Sequence, residues 1–137
     1  MSAAPRIAAA LAAACSIAAA TAQPAGLTGE QVYRETCSAC HATGVDKAPK
    51  LGDRKAWAPL IGEGQHVLTA HAWVGVRKMP PRGGRPELTL AEFSNPVAHM
   101  ARQSGGRWKD PDAAMLARIE RAVAKREAGL ERAAAAK

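Results

Sequence analysis

The sequence predicts an all-α chain, on three observations. Two capping boxes, Thr28 with Gln31 and Thr89 with Glu92, each stand just ahead of apolar residues at helical spacing. Between Met115 and Leu130 the large apolar side chains trace one narrow stripe, and no β-branched run of strand type precedes Cys37.

Taken in order, residues 1–22 read as an export signal that is removed. Arg6 is a short positive region, Ile7 to Ala20 is apolar and small, and Ala20-Thr21-Ala22 has the small-residue pattern of a cleavage site before Gln23. An uncleaved anchor would need ~20 strongly apolar residues, and this run is shorter and mostly alanine. Lipid attachment at Cys15 is a further alternative, but Ala12-Ala13-Ala14 lacks the leucine such sites usually carry. Cleavage leaves 115 residues, enough for one domain with a modest core.

A helix is expected from about residue 29 into the Cys37 turn. Residues 42–53, with Gly44, Pro49 and Gly52, read as loop. Asp53 caps a short helix carrying Trp57, with Pro59 limiting it. Between Gly64 and Gly75 the residues Val67, Leu68, His71 and Val74 form a face expected to pack inward. Met79-Pro80-Pro81-Arg82-Gly83-Gly84 cannot continue a helix, because proline lacks the amide donor and fixes its own φ, so it is a stiff loop. Phe93, Val97 and Met100 mark the next helix, with a kink expected between Glu92 and Pro96. In the tail, Asp110 caps and Pro111 takes the first helical position, and Met115, Leu116, Ile119, Val123 and Leu130 form the stripe. The tail charges Arg118, Arg121, Lys125, Arg126 and Arg132 alternate with Glu120, Glu127 and Glu131, the pattern of a solvated helix face. A partner-docking or membrane-surface helix is the alternative.

The chemistry-bearing stretch is Cys37-Ser38-Ala39-Cys40-His41. Two thiols three apart followed by histidine match the attachment signature of c-type haem. Residues at that spacing project from about one helical turn, so each thiol can attack one haem vinyl group while His41 offers a ring nitrogen to the iron. A redox dithiol would sit near a strand-helix-strand pattern, and zinc would want four ligands where the only other cysteine is Cys15. The chain has only five aromatics, Tyr33, Trp57, Trp73, Phe93 and Trp108, which suits a core completed by a flat apolar macrocycle. Alanine-rich helices that need few large side chains explain the same count.

A second axial position has six candidates: Met79, Met100, Met115, His66, His71 and His99. A thioether is a soft ligand suited to haem iron, and a Met/His pair raises the reduction potential. Met79 on its rigid loop is favoured; Met100 lies in a helical apolar stripe where packing is the expected role. A bis-histidine site using His71 stands as the rival.

Val32-Tyr33, Cys37 to His41, Gly44-Val45, Ala48-Pro49-Lys50-Leu51-Gly52-Asp53, Trp57, Met79 to Gly84 and Leu88-Thr89 occur in the order and spacing of the class I cytochromes c of the c-five type. Over about residues 28–103 the chain resembles that family. The resemblance implies an all-helical fold around one covalently attached haem c (iron), and soluble periplasmic one-electron transfer. It implies that Cys37 and Cys40 bind haem, that His41 and Met79 are axial, and that the Pro49 carbonyl accepts the His41 ring N–H. Leu60 departs from it, standing where similar proteins often carry an arginine. The expected organisation is a signal peptide over 1–22, a cytochrome c domain over 23–103 and a C-terminal helical extension over 104–137.

The formal net charge is +7, and removal of residues 1–22 takes away Arg6 and leaves +6. Arg77, Lys78, Arg82 and Arg85 cluster around Met79, which favours redox partner proteins with acidic docking surfaces. Nucleic acid is excluded by export and by the lack of aromatics interleaved with the charges. No stable membrane insertion is expected after cleavage, and the protein is a monomer or weak oligomer. The leading expectation is a periplasmic electron carrier, not an enzyme, that cycles between ferric and ferrous states. The alternatives are a haem-bearing subunit docked through its tail onto a dehydrogenase or oxidase complex, and a haem sensor or small peroxidase with a weak sixth ligand.

Overall fold

The computed structural model describes residues 26–137, so the expected signal over 1–22, with Cys15, lies outside the described residues. Helix α1 (Gly29–Val32) starts on its capping box: the Thr28 hydroxyl accepts from the Gln31 amide at 3.2 Å, and Gln31 Oε1 accepts from the Thr28 amide at 2.9 Å. A π-helical turn, Tyr33–Cys37, leads straight into α2 (Ser38–His41), so one helical rod carries both cysteines and the histidine. Wide turns of this kind are rare inside helices and gather at functional sites. After a loop come α3 (Arg54–Gly62), capped by Asp53 Oδ1 on the Ala56 amide at 3.0 Å, and α4 (Gln65–Val74). Helix α5 (Leu90–Gln103) begins on the Thr89–Glu92 box, and α6 (Ala113–Ala135) closes the chain. Among the described residues the only β feature is an isolated bridge between Val76 and Met79, and no helix is long and apolar enough to cross a membrane.

The first and fifth helices cross at Gly29. A methyl group there would run into the Asn95 carbonyl, 2.7 Å from its carbon and 3.1 Å from His99 Cβ, so only glycine lets the two backbones approach this closely. The crossing buries Val32, Phe93 and Val97 with Ala72 and Leu88 in one cluster. Tyr33, Trp57, Met100 and Ala101 form a second cluster, and Trp108 packs against both. Helix α6 lies along α4, where Ile119 is fully buried.

Several local expectations change. Pro59 lies inside α3 rather than limiting it; the Lys55 carbonyl that would have accepted its amide is on an exposed part of the helix, where water can serve. Pro96 likewise sits inside one unbroken helix and is fully buried, so tertiary packing outweighs the lost backbone bond. In α4 the buried residues are Gln65, Thr69, Ala70 and Ala72, while Val67, Leu68, His71 and Val74 are only half-covered. Small side chains let α6 come close, and periodicity counted on large apolar residues misses them. The cap of α6 is Asp112, whose Oδ1 accepts from the Met115 amide at 2.8 Å; Asp110 instead receives the Arg102 guanidinium at 2.8 Å. Arg126 does not belong to the solvated face: it turns onto α4.

Candidate haem site

Because Cys37 ends the π turn and Cys40 lies one turn later in α2, the two thiols leave the same rod at neighbouring levels. Cys37 is half-buried and Cys40 exposed. Burial pushes the Cys37 thiol up to about 11, against the pull of its own backbone hydrogen bond and of the Arg85 guanidinium. A thiol held protonated at neutral pH is the reverse of what a redox dithiol needs. Among the described residues no group of three or more His, Cys, Asp or Glu is placed to hold a metal ion, so a tetrahedral zinc set has no counterpart there.

His41 is buried and doubly tied to the loop that follows it. Its Nδ1 lies 2.8 Å from the Pro49 carbonyl, and its own carbonyl accepts from the Leu51 amide at 2.8 Å. The same loop is held by Trp57, whose indole N–H donates to the Lys50 carbonyl at 2.8 Å, and by Ser104, whose hydroxyl accepts from the Gly52 amide at 3.0 Å. A carbonyl can only accept, so Nδ1 carries the proton and Nε2 presents its lone pair, the tautomer that binds a metal. The Trp57 ring sits 6.3 Å from the imidazole, centroid to centroid.

Half-buried apolar side chains flank these groups. Leu51, Leu60 and Leu68 pack on the Tyr33–Trp57 cluster; Leu27, Trp73 and Met79 pack on the Val32–Phe93 cluster. Met79 closes a tight turn through Arg77 and Lys78, with Val76 and Met79 exchanging backbone hydrogen bonds at 3.1 and 2.9 Å and Arg77 held at φ +53°. Two thiols a turn apart, an imidazole with Nε2 available and apolar walls with uncovered faces fit a covalently attached haem.

The other axial candidates sit on other elements. Met100 is 3% exposed among Tyr33, Trp57 and Ala101, and Met115 lies on α6. His66 Nδ1 faces Arg118 Nη2 at 3.2 Å, and burial with the nearby Arg118 and Arg121 charges holds its pKa below the usual value. His71 Nδ1 pairs with Glu63 at 2.9 Å and lines the groove between α4 and α6. His99 lies against Tyr33, ring centroids 5.6 Å apart, with its pKa lowered chiefly by burial.

The basic cluster is partly committed to structure. Arg82 stacks 4.0 Å over the Trp73 ring and donates to the Pro86 carbonyl at 2.6 Å, while Arg85 reaches the Thr36 hydroxyl at 2.8 Å and pairs with Glu87. Arg77 and Lys78 are exposed on either side of the turn tip. Sequence reasoning missed Arg126, whose guanidinium donates to the Gly75 carbonyl at 2.9 Å where α4 gives way to the Met79 loop. Its signal was spacing: Arg126 lies seven residues after Ile119, a place on the stripe where an apolar residue is the norm.

Comparison with known proteins agrees with the geometry. A family model described as cytochrome c oxidase, cbb3-type, subunit III matches residues 24–100. Cytochrome c-555 of Chlorobaculum thiosulfatiphilum is 44% identical over 80 residues, covering 56% of this chain and 93% of the relative. Cytochrome c5 of Azotobacter vinelandii is 40% identical over 76 residues, 54% of this chain and 92% of the relative. A chain from a crystal structure of the electron-transfer complex of nitrite reductase with cytochrome c matches with TM-score 0.54 and 45% identity, over 56% of this chain and 93% of that one. The chain therefore belongs to the class I c-type cytochromes related to cytochrome c5, electron-transport proteins whose covalently bound cofactor is haem c.

Proposed function

We propose that this cytochrome is an exported, periplasmic electron carrier with no catalysis of its own, its haem tethered by Cys37 and Cys40 and its iron held between His41 and Met79. The observation that carries the reading is the 2.8 Å contact between His41 Nδ1 and the Pro49 carbonyl, beside two thiols one turn apart. That contact orients the ring and raises the basicity of Nε2. When bound, haem supplies an iron that alternates between ferric and ferrous. The chain's task is to change little while it does so: the α2 rod holds the tether, the Pro49–Leu51 segment fixes the imidazole, and the Val76–Met79 turn holds the thioether. Two protein ligands leave no open position for a substrate, which separates a carrier from a peroxidase or sensor.

The visible spectrum tests the ligand set. The purified ferric protein is expected to show the charge-transfer band of methionine-sulfur ligation, and Met79→Ala to abolish it while the haem stays attached; persistence of the band would move the ligand elsewhere. Slow cyanide binding to the resting protein is expected as well, and rapid binding would favour the sensor reading.

The match to an oxidase subunit favours a second reading, a haem-bearing subunit of a larger complex. Docking through the tail would have to use the charged side of α6, because its apolar stripe lies on α4. Purification from a periplasmic extract as a lone protein that reduces and reoxidises rapidly would exclude that assembly.

A further inference from the structure

Helix α6 lies beyond the matched residues, yet one of its side chains reaches the loop that carries Met79. We propose that Arg126 is a positioning residue for that loop: it pins the Gly75 carbonyl from which the loop departs and so keeps the Met79 thioether at its place. The inference rests on Met79 being the second axial ligand.

Three observations carry it. The Arg126 Nη2 donates to the Gly75 carbonyl at 2.9 Å. Carbonyls at a helix C-terminus lack intrahelical partners and form the negative end of the helix dipole, so a guanidinium there is held both by a hydrogen bond and by charge. Next, Gly75 touches both ends of the loop. Its φ is +97°, and a Cβ on it would lie 3.1 Å from Pro81 N and 3.3 Å from the Met79 carbonyl oxygen. With Val76 and Met79 joined by paired backbone hydrogen bonds, a displacement of Gly75 carries Met79 with it. Last, Arg126 is placed by packing, not by solvent. Its Nε is buried without a partner, and its neighbours in the α4–α6 groove include Val67, Ala70 and Gly129. Burying part of a guanidinium unpaired is unfavourable in itself, so the seat is not explained by stability of the seam. Ile119, fully buried two turns earlier, anchors α6 on α4 but is no part of the groove that seats the arginine.

A helix cap that merely stabilised the fold would weaken every part of the molecule together. A positioning residue acts on the loop first. The test therefore follows the ferric holoprotein through a urea titration by two signals, the methionine-sulfur charge-transfer band and far-UV circular dichroism, and measures cyanide association in water. Arg126→Leu keeps the bulk and removes the donor, Arg126→Lys keeps the charge, Ile119→Val loosens α6 without touching the loop, and Met79→Ala reports the ligand itself.

In Arg126→Leu the band is expected to disappear at lower urea than the helical signal, and cyanide association to rise about tenfold, the factor that ~1.4 kcal/mol supplies. Arg126→Lys is expected to recover part of both, and Ile119→Val to shift band and helical signal in step with the cyanide rate unchanged. If Arg126→Leu behaves as Ile119→Val does, the positioning role is overturned while the axial assignment stands. If the band survives Met79→Ala, the axial assignment falls and this inference falls with it.

Discussion

At Gly29 a single hydrogen atom decides how close two helices lie. Replacing it with the methyl of Gly29→Ala puts a carbon 2.7 Å from the Asn95 carbonyl carbon, in backbone that cannot swing aside as a side chain would. Overpacking of this kind costs about 1–3 kcal/mol. The denaturant midpoint is expected to fall with an unchanged slope, and an unaltered midpoint would show that the crossing is looser than it looks. Nothing local marks Gly29, because the atoms that exclude a methyl come from the far end of the fold. Cys37, Cys40 and His41 are the opposite case. Covalent attachment of haem c asks for a set residue type and spacing, so the pentapeptide stands out as a candidate in the sequence, whereas Arg126 read as one more surface charge until α4 was laid beside it.

Helix starts depend on neighbours three residues apart, which is why the capping boxes at Thr28 and Thr89 could be read directly. The Thr89 box makes a testable element. Loss of the cap in Thr89→Ala is expected to lower stability by about 1 kcal/mol, read as a shift in the denaturant midpoint. Its partner Glu92 takes the Thr89 backbone N–H and hydroxyl, and these bonds hold its carboxyl below the usual value of 4.5. A carboxylate whose pKa is depressed on folding stabilises the protein above its unfolded pKa, and the contribution fades as pH falls through the folded value. Stability measured from neutral pH down into the acid range is expected to fall less steeply in Glu92→Gln than in the parent; identical acid limbs would refute this. Helix ends and interruptions were less legible. Pro59 and Pro96 look like breaks, yet one leaves its orphan carbonyl to water and the other is fully buried inside α5. Asp110 reads as the cap in the sequence, but its carboxylate takes the Arg102 guanidinium and Asp112 caps the helix instead.

For the whole molecule, the all-α class was legible because caps and stripes agree along the chain, but the seating of α6 on α4 was not. That contact is made through Ala70 and its small neighbours, which carry little hydrophobic signal, and it turns an apparent appendage into a helix packed on α4 whose Arg126 reaches the Gly75 carbonyl. The same scale governs association. The chain is formally +7, and with Arg82 stacked on Trp73 and Arg85 engaged with Thr36 and Glu87, Arg77 and Lys78 are the charges left at the turn tip beside Met79. Surface charge acts mainly on the encounter rate, and salt screens it over ~10 Å at 0.1 M ionic strength and ~3 Å at 1 M. Reversing both charges in Arg77→Glu with Lys78→Glu is therefore expected to slow oxidation of the ferrous protein by a small anionic oxidant about tenfold at low salt, within the range that steering supplies. The rates of parent and variant should converge as salt approaches 1 M, and the visible band of the ferric form should be the same in both. Stopped-flow rates that match at every ionic strength would mean that electrons leave by another edge of the protein.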